Sequence, residues 1–260
     1  MKKFFVIGNP ISHSLSPELH NFWIKKNKIN AIYDKIKLEE SGLRDFINKL
    51  RNEEIHGINV TVPFKNKVIK YLDKLSLEVE RTDSVNTIYK SGNYLIGHNT
   101  DVAGFELGLR HSKINVLHKS ILILGAGGVV PSIIYSLLSM GCKKIFLSNR
   151  TIEKAENIKK KFNEVEVLKW KRIPDFDIVI NATSVGLKGE SLDLDLNTKD
   201  KVFYDVIYNP KETQFLKKAK ENGNRVENGR FMFIYQANQS FSIWNNVIPK
   251  IDEEVLKILE

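Results

Sequence analysis

The chain has 260 residues, 42% hydrophobic and 27% charged, a balance that suits a globular protein with one large core or two modest ones. Its formal charge is +9, but the basic residues are 32 lysines and only 8 arginines, scattered over amphipathic segments. That pattern argues against a nucleic-acid partner and for a solvated lysine surface with room for an anionic small molecule. One cysteine, Cys142, excludes an internal disulfide, and no Cys/His spacing suits zinc, so no metal is expected.

Taken in chain order, residues 1–7 are too short in their apolar part for a secretory leader and read as a first strand, which predicts a cytoplasmic protein. Short β-rich runs then alternate with helical patterns over 17–28 and 39–52, an α/β unit extending to about residue 100. Ser16-Pro17 reads as an N-cap followed by a first-turn proline, and 76–81 as a short helix opened by Ser76. A strand over 59–62 alternates polar and apolar residues, placing Asn59 and Thr61 on one side. It ends at Pro63 before a helix start, so Lys65 is expected in a first helical turn, where the dipole disfavours a cation.

From Asp101 the rhythm changes: a helix to residue 110, a strand over 120–125, a helix over 129–140, a strand over 144–148 and a helix over 152–162. Further strands over 176–180 and 202–206 and a helix over 213–222 complete a Rossmann-like parallel sheet. The tail is helical over 236–246 and 253–259 and can return to the first domain. The predicted organisation is therefore residues 1–100 completed by 236–260, and residues 101–235, flanking a cleft. Residues 120–142 are uncharged and long enough to suggest a membrane span, but four turn formers, Pro131 and three serines interrupt them. A soluble strand, glycine turn and helix fit better.

The turn Gly125-Ala126-Gly127-Gly128 lets backbone amides approach a pyrophosphate at the positive end of a helix. At the end of the next strand, where an acidic residue would hold the free ribose hydroxyls of NAD, stand Asn149, Arg150 and Thr151. A guanidinium there can pair with a 2′-phosphate, and Lys154 adds charge one turn on, so NADP is favoured. Plain helix capping by Asn149 or Thr151 is the alternative. Ser12, Ser14 and Ser16 put hydroxyls at a strand-to-helix junction, suited to a carboxylate or to simple capping.

The order of these segments resembles the shikimate dehydrogenase family over nearly the whole chain. It is carried by Gly8-Asn9-Pro10, Ser14-Leu15-Ser16-Pro17 with His20-Asn21, Asn59 through Lys65, and Asp83-Ser84-Val85-Asn86-Thr87. Gly97-His98-Asn99-Thr100-Asp101, the Gly125 turn, Asn149-Arg150-Thr151, Asn181-Ala182-Thr183-Ser184, Asp205 through Pro210 with Thr213, and Gln236-Ala237 continue it. The resemblance implies an α/β fold with a substrate domain and an NADP domain, and an enzyme that interconverts 3-dehydroshikimate and shikimate as a monomer or homodimer. It implies Lys65 and Asp101 as the catalytic pair, Ser14, Ser16, Thr61 and Tyr208 at the substrate carboxylate, and Asn59, Asn86, Asp101 and Gln236 at the ring hydroxyls. Thr183, Ser184, Val206, Gly229 and Met232 join the cofactor set by the same implication. A quinate/shikimate dehydrogenase with relaxed cofactor use and a non-catalytic shikimate-binding regulator stand as alternatives. Departures from the family fall on Val129, Val130 and Pro131 after the glycines, on Lys154, and on Phe231 where glycine is common.

Overall fold

Two six-stranded sheets organise residues 1–259, which the computed structural model of the protein describes. They belong to two units, Met1–Gly104 with the chain from Ile234 onward, and Phe105–Phe233.

In the first unit, β1 (Lys2–Gly8), α1 (Ser16–Lys26) and β2 (Ala31–Lys37) form a parallel β-α-β turn, and β3 (Gly57–Val60) pairs with the other side of β1. Helix α2 (Leu43–Arg51) buries Leu43, Phe46, Ile47 and Leu50, spaced as one helical face. Then follow β4 (Lys74–Leu75), α3 (Leu77–Thr82), β5 (Thr87–Ser91) and β6 (Tyr94–His98). The sheet order is β2-β1-β3-β5-β6-β4, with β5 antiparallel to both neighbours, so this sheet is mixed. Its core joins Ile7 and Ile58 to the buried face of α2 and to Phe64, Val85 and Leu95.

In the second unit β7 (Ser120–Leu124), α5 (Val130–Ser139), β8 (Lys144–Ser148), α6 (Ile152–Lys159), β9 (Val165–Leu168), β10 (Ile178–Asn181), β11 (Val202–Asp205), α7 (Gln214–Glu221) and β12 (Arg225–Asn228) build a sheet of order β12-β11-β10-β7-β8-β9. All its pairings are parallel. Strand β7 shows why its sequence is continuously apolar: Ile121 and Ile123 enter one core with Ile133 and Leu137, while Leu122 and Leu124 enter another with Phe203 and Phe215. Helices α4 (Thr100–His111) and α8 (Arg230–Asn245) each contain a boundary between the units. The part of α8 from Ile234 and α9 (Glu253–Ile258) belong to the first unit, where Trp244 stacks on Phe4 and donates from Nε1 to the Ile88 carbonyl at 3.2 Å.

Several expectations are corrected. The helix read over 39–52 begins as a separate 3-10 turn, Glu40–Gly42. Ser16 lies inside α1, whose N-cap is Leu15; the Ser14 hydroxyl, not that of Ser16, accepts at the helix start, from the Ser16 amide at 3.3 Å. Pro17 has no N–H to lose and tolerates this earlier start. Lys65 is in no helix. Strand β3 ends at Val60, residues 61–68 form successive turns, and the Lys65 carbonyl accepts from the Val85 amide at 2.8 Å, an outside partner that occupies the acceptor a helix would use. Lys65 therefore does not occupy a first helical turn, and its charge is not opposed by a dipole there. Helix α8 starts six residues before the expected Gln236, because the Asn228 side chain accepts from the Arg230 amide at 3.0 Å and its first turns are apolar all round. No helix among the described residues is long and apolar enough to cross a membrane, and 120–142 divides into β7, the glycine turn and α5.

Candidate active site

In the first unit, Lys65 Nζ forms an ion pair with Asp101 Oδ2. Their side chains are only 14% and 8% exposed, so water screens the pair poorly. Asp101 is the second residue of α4, and its amide donates to Asn99 Oδ1 at 3.1 Å. The other carboxylate oxygen, Oδ1, accepts from Asn86 Nδ2 at 3.0 Å. The same Nδ2 lies 2.9 Å from Thr100 Oγ1 and 3.4 Å from Gln236 Oε1, so Lys65, Asp101, Asn86 and Gln236 meet in one polar cluster.

Asn59 is tied to that cluster differently from expectation. Its Nδ2 donates to the Asn86 carbonyl at 3.0 Å and to Thr87 Oγ1 at 3.1 Å, while its Oδ1 accepts from the Tyr33 hydroxyl at 2.7 Å. Both N–H groups are committed within the protein, which leaves one oxygen lone pair for any ring hydroxyl. Ser16, one of the four expected carboxylate ligands, is buried at the first position of α1. Thr61 follows β3 directly, its amide donating to the Ile7 carbonyl at 2.9 Å. Complete burial raises the Tyr33 hydroxyl well above its ordinary pKa and lowers the His20 imidazole, stacked 4.1 Å from the Tyr33 ring, to about 3. Tyr33 has no role in the sequence expectations, and Thr87 and Thr100 enter them only as members of two motifs. Tyr33 is the one aromatic and the one buried residue of β2.

In the second unit the expected cofactor residues collect at the carboxyl ends of parallel strands. The Gly125 turn follows β7, Asn149 to Thr151 follow β8, Thr183 and Ser184 follow β10, Val206 follows β11 and Gly229 follows β12. Strands β7 and β10 are sheet neighbours from which the chain winds outward in opposite directions, the switch point where such sheets open a crevice. Gly125 has φ +108°, and a Cβ there would lie 2.8 Å from the Ala182 carbonyl oxygen, so both backbone and space demand glycine. A Cβ on Gly128 would meet nothing within 4 Å. Arg150, Thr151 and Lys154 are exposed; Thr151 is the N-cap residue of α6 without a side-chain cap bond, and Asn149 Nδ2 donates to the Thr151 carbonyl at 2.7 Å.

The departures find places here too. Val130 is fully buried in the core, and Pro131 occupies the first turn of α5, where its missing N–H breaks no intrahelical bond. Phe231 stacks on His111 at 3.8 Å, while Met232 is buried. Tyr208 stacks on Phe233 at 4.4 Å. Behind the crevice, Asp205 accepts from Thr213 Oγ1 at 2.6 Å, the Ile207 amide at 3.0 Å and Asn181 Nδ2 at 3.1 Å. Burial nonetheless pushes its carboxyl up to about 6. Asn181 Oδ1 in turn accepts from the amide and hydroxyl of Thr183, fixing the turn after β10.

Comparison with known proteins agrees with this arrangement. Residues 6–88 match the family described as shikimate dehydrogenase substrate binding domain, and residues 108–188 match shikimate / quinate 5-dehydrogenase. The chain is 55% identical over 263 residues to a shikimate dehydrogenase (NADP(+)) of Pelagibacter ubique, covering 100% of this chain and 99% of that one. Shikimate 5-dehydrogenase from Listeria monocytogenes, solved in complex with shikimate and NAD, superimposes with a TM-score of 0.91 at 30% identity, over 100% of this chain and 96% of that one. The enzyme from Thermus thermophilus, solved with NADP(H) and shikimate, gives 0.90 at 28% identity, over 100% and 97%. With the buried Lys65–Asp101 pair in one unit, the glycine turn at the switch point of the other, and full-length identity of this order, the chain belongs to the shikimate dehydrogenase family.

Proposed function

We propose that this protein is an NADP-dependent shikimate dehydrogenase, reversibly reducing the ketone of 3-dehydroshikimate to the alcohol of shikimate. The observation that carries the reading is the Lys65–Asp101 ion pair, buried and clamped by Asn86 beside Gln236. Bound NADPH supplies the hydride that reaches the carbonyl carbon. Negative charge then grows on the carbonyl oxygen, and the Lys65 ammonium stabilises it and delivers the proton, acting as base in the reverse direction. Asp101 holds the ammonium in place, and Asn86, bonded to the other carboxylate oxygen, stops the carboxylate from turning away. Asn86, Asp101 and Gln236 offer amide and carboxylate groups to the ring hydroxyls, and Ser14, Ser16, Thr61 and Tyr208 hold the substrate carboxylate.

The residues of Phe105–Phe233 fit the cofactor. The glycine turn leaves open space over Gly128 and brings backbone amides to the amino end of α5, as a pyrophosphate requires. Exposed Arg150 and Lys154, with Asn149 and Thr151, are assigned to the 2′-phosphate, and Thr183, Ser184, Val206, Gly229 and Met232 to the remainder. The first unit is thus the substrate domain and the second the NADP domain of a cytoplasmic enzyme. Initial rates on shikimate and quinate with NADP and with NAD test the reading. The expected result is shikimate oxidation with NADP strongly preferred, and a kcat reduced by roughly 10² or more in Lys65→Ala with KM little changed. Equal kcat/KM for the two cofactors, or near-full turnover by Lys65→Ala, overturns it.

A further inference from the structure

The hydrogen bonds behind the ion pair share a direction. Tyr33 Oη donates to Asn59 Oδ1, Asn59 Nδ2 to Thr87 Oγ1, Thr87 Oγ1 to Asn86 Oδ1 at 3.0 Å, and Asn86 Nδ2 to Asp101 Oδ1. Ordinarily the orientation of an amide is a matter of choice, since its oxygen and nitrogen look alike. Here two backbone groups remove the choice. The Asn86 carbonyl can only accept, so the Asn59 amide must turn Nδ2 toward it, and Oδ1 is left facing Tyr33. The Thr100 amide can only donate, at 2.8 Å, so Asn86 must turn Oδ1 toward it, and Nδ2 is left facing Asp101.

Thr87 joins the two amides. It sits on β5 directly opposite Asn59, receives an N–H from that residue, and has its own hydrogen left for Asn86. Every member is buried, so water is not at hand to replace a missing link. On the basis of the function proposed above, we propose that Tyr33 and Thr87 are positioning residues. Through Asn59 and Asn86 they form a one-way hydrogen-bond chain that aims the Asp101 carboxylate at Lys65. Asn59 belongs to this chain and acts on the substrate through it.

The decisive comparison is Thr87→Val, which keeps the branched shape and removes the hydroxyl, against Thr87→Ser, which restores it. Thr87→Val is expected to lower kcat for shikimate oxidation by about 10-fold with KM for shikimate changed less than about two-fold, and Thr87→Ser to recover most of the loss. The effect should vanish when Asp101 is already replaced by Asn, because both changes then act on one unit. Tyr33→Phe, the second variant, should act in the same sense and more weakly. A readout independent of turnover comes from the free protein: the Asn86 side-chain amide hydrogens should exchange slowly in the wild type and in Thr87→Ser, and markedly faster in Thr87→Val. If the wild type oxidises neither shikimate nor quinate, the functional reading fails while the amide exchange still decides the chain. Wild-type kcat in folded Thr87→Val, or amide exchange unchanged by it, overturns the proposal.

Discussion

Lowering the pH from 7 to 5 should destabilise the first unit through one residue, His20. Its imidazole is 1% exposed, packed among Trp23, Tyr33, Phe241 and Trp244, and its Nε2 has no hydrogen-bond partner. Burial depresses the folded pKa from 6.5 to about 3. Below 6.5 the unfolded chain therefore binds a proton that the folded chain refuses, and stability falls as pH falls through the window from 6.5 to 3. At about 1.36 kcal/mol per unit of mismatch, the loss is about 2 kcal/mol between pH 7 and 5, and approaches about 5 kcal/mol near pH 3. Urea unfolding followed by the fluorescence of Trp23 and Trp244, both in the His20 cluster, reads it directly, with a midpoint shift on the order of 1 M. His20→Phe keeps the stack over Tyr33 and cannot titrate, but a comparison at one pH would mislead, since overpacking adds a constant cost of about 1–3 kcal/mol. The slopes are compared instead: the wild-type stability should fall between pH 7 and 5 by about 2 kcal/mol more than the variant's. Parallel lines refute the argument.

In Arg150→Ala, kcat/KM for NADP should drop by about 30-fold, the equivalent of about 2 kcal/mol for a charge-assisted contact, while the value for NAD stays unchanged; equal losses with both cofactors would remove the 2′-phosphate role. Gly229→Ala would set a Cβ 2.0 Å from the Val206 carbonyl oxygen and should cost about 3 kcal/mol or more by thermal denaturation. Gly127→Ala, whose Cβ would sit 3.9 Å from the Ala182 carbonyl, should leave the melting temperature alone and weaken NADP binding in a calorimetric titration. Asp205 predicts the opposite pH response in the second unit. Its folded pKa of about 6 lies above the ordinary 3.8, so the folded state holds the extra proton. The stability this contributes, about 3 kcal/mol, is present at low pH and lost as pH rises through 4 to 6, a trend that Trp170 fluorescence should follow and Asp205→Asn should abolish.

Secondary structure was legible wherever one physical pattern dominated. The apolar run of β7, the glycine turn and the spacing of α2 each required their observed form. Strands β9 and β12 escaped because VEVL and RVEN are short, half-exposed edge strands with too few apolar residues to announce themselves. The start of α8 escaped because a helix buried on several sides has no periodic face to read. Lys65 was legible as a candidate but not in its setting, since the carbonyl bond that keeps it out of a helix comes from Val85, twenty residues away. For the same reason the link through Tyr33 and Thr87 was not legible: hydrogen-bond direction is a property of the assembled cluster and not of the local sequence around either residue.

The functional residues of the two units are therefore specified by different physics, and this governs what each unit tolerates. In the second unit the requirement is clearance: Gly125 and Gly229 admit backbone carbonyls where any Cβ would collide, while Arg150, Thr151 and Ser184, which follow the strands, are exposed. Substitution there separates into loss of fold at the crowded glycines and loss of affinity at the exposed positions. In the first unit the requirement is polarity. The Asn86 carbonyl and the Thr100 amide fix which way two buried amides point, and each residue between them must present a donor on one side and an acceptor on the other. An apolar replacement of equal volume satisfies the packing and breaks the sequence of donors. Stability can then survive while the carboxylate beside Lys65 loses its aim, so rate is the property most exposed to change in that unit.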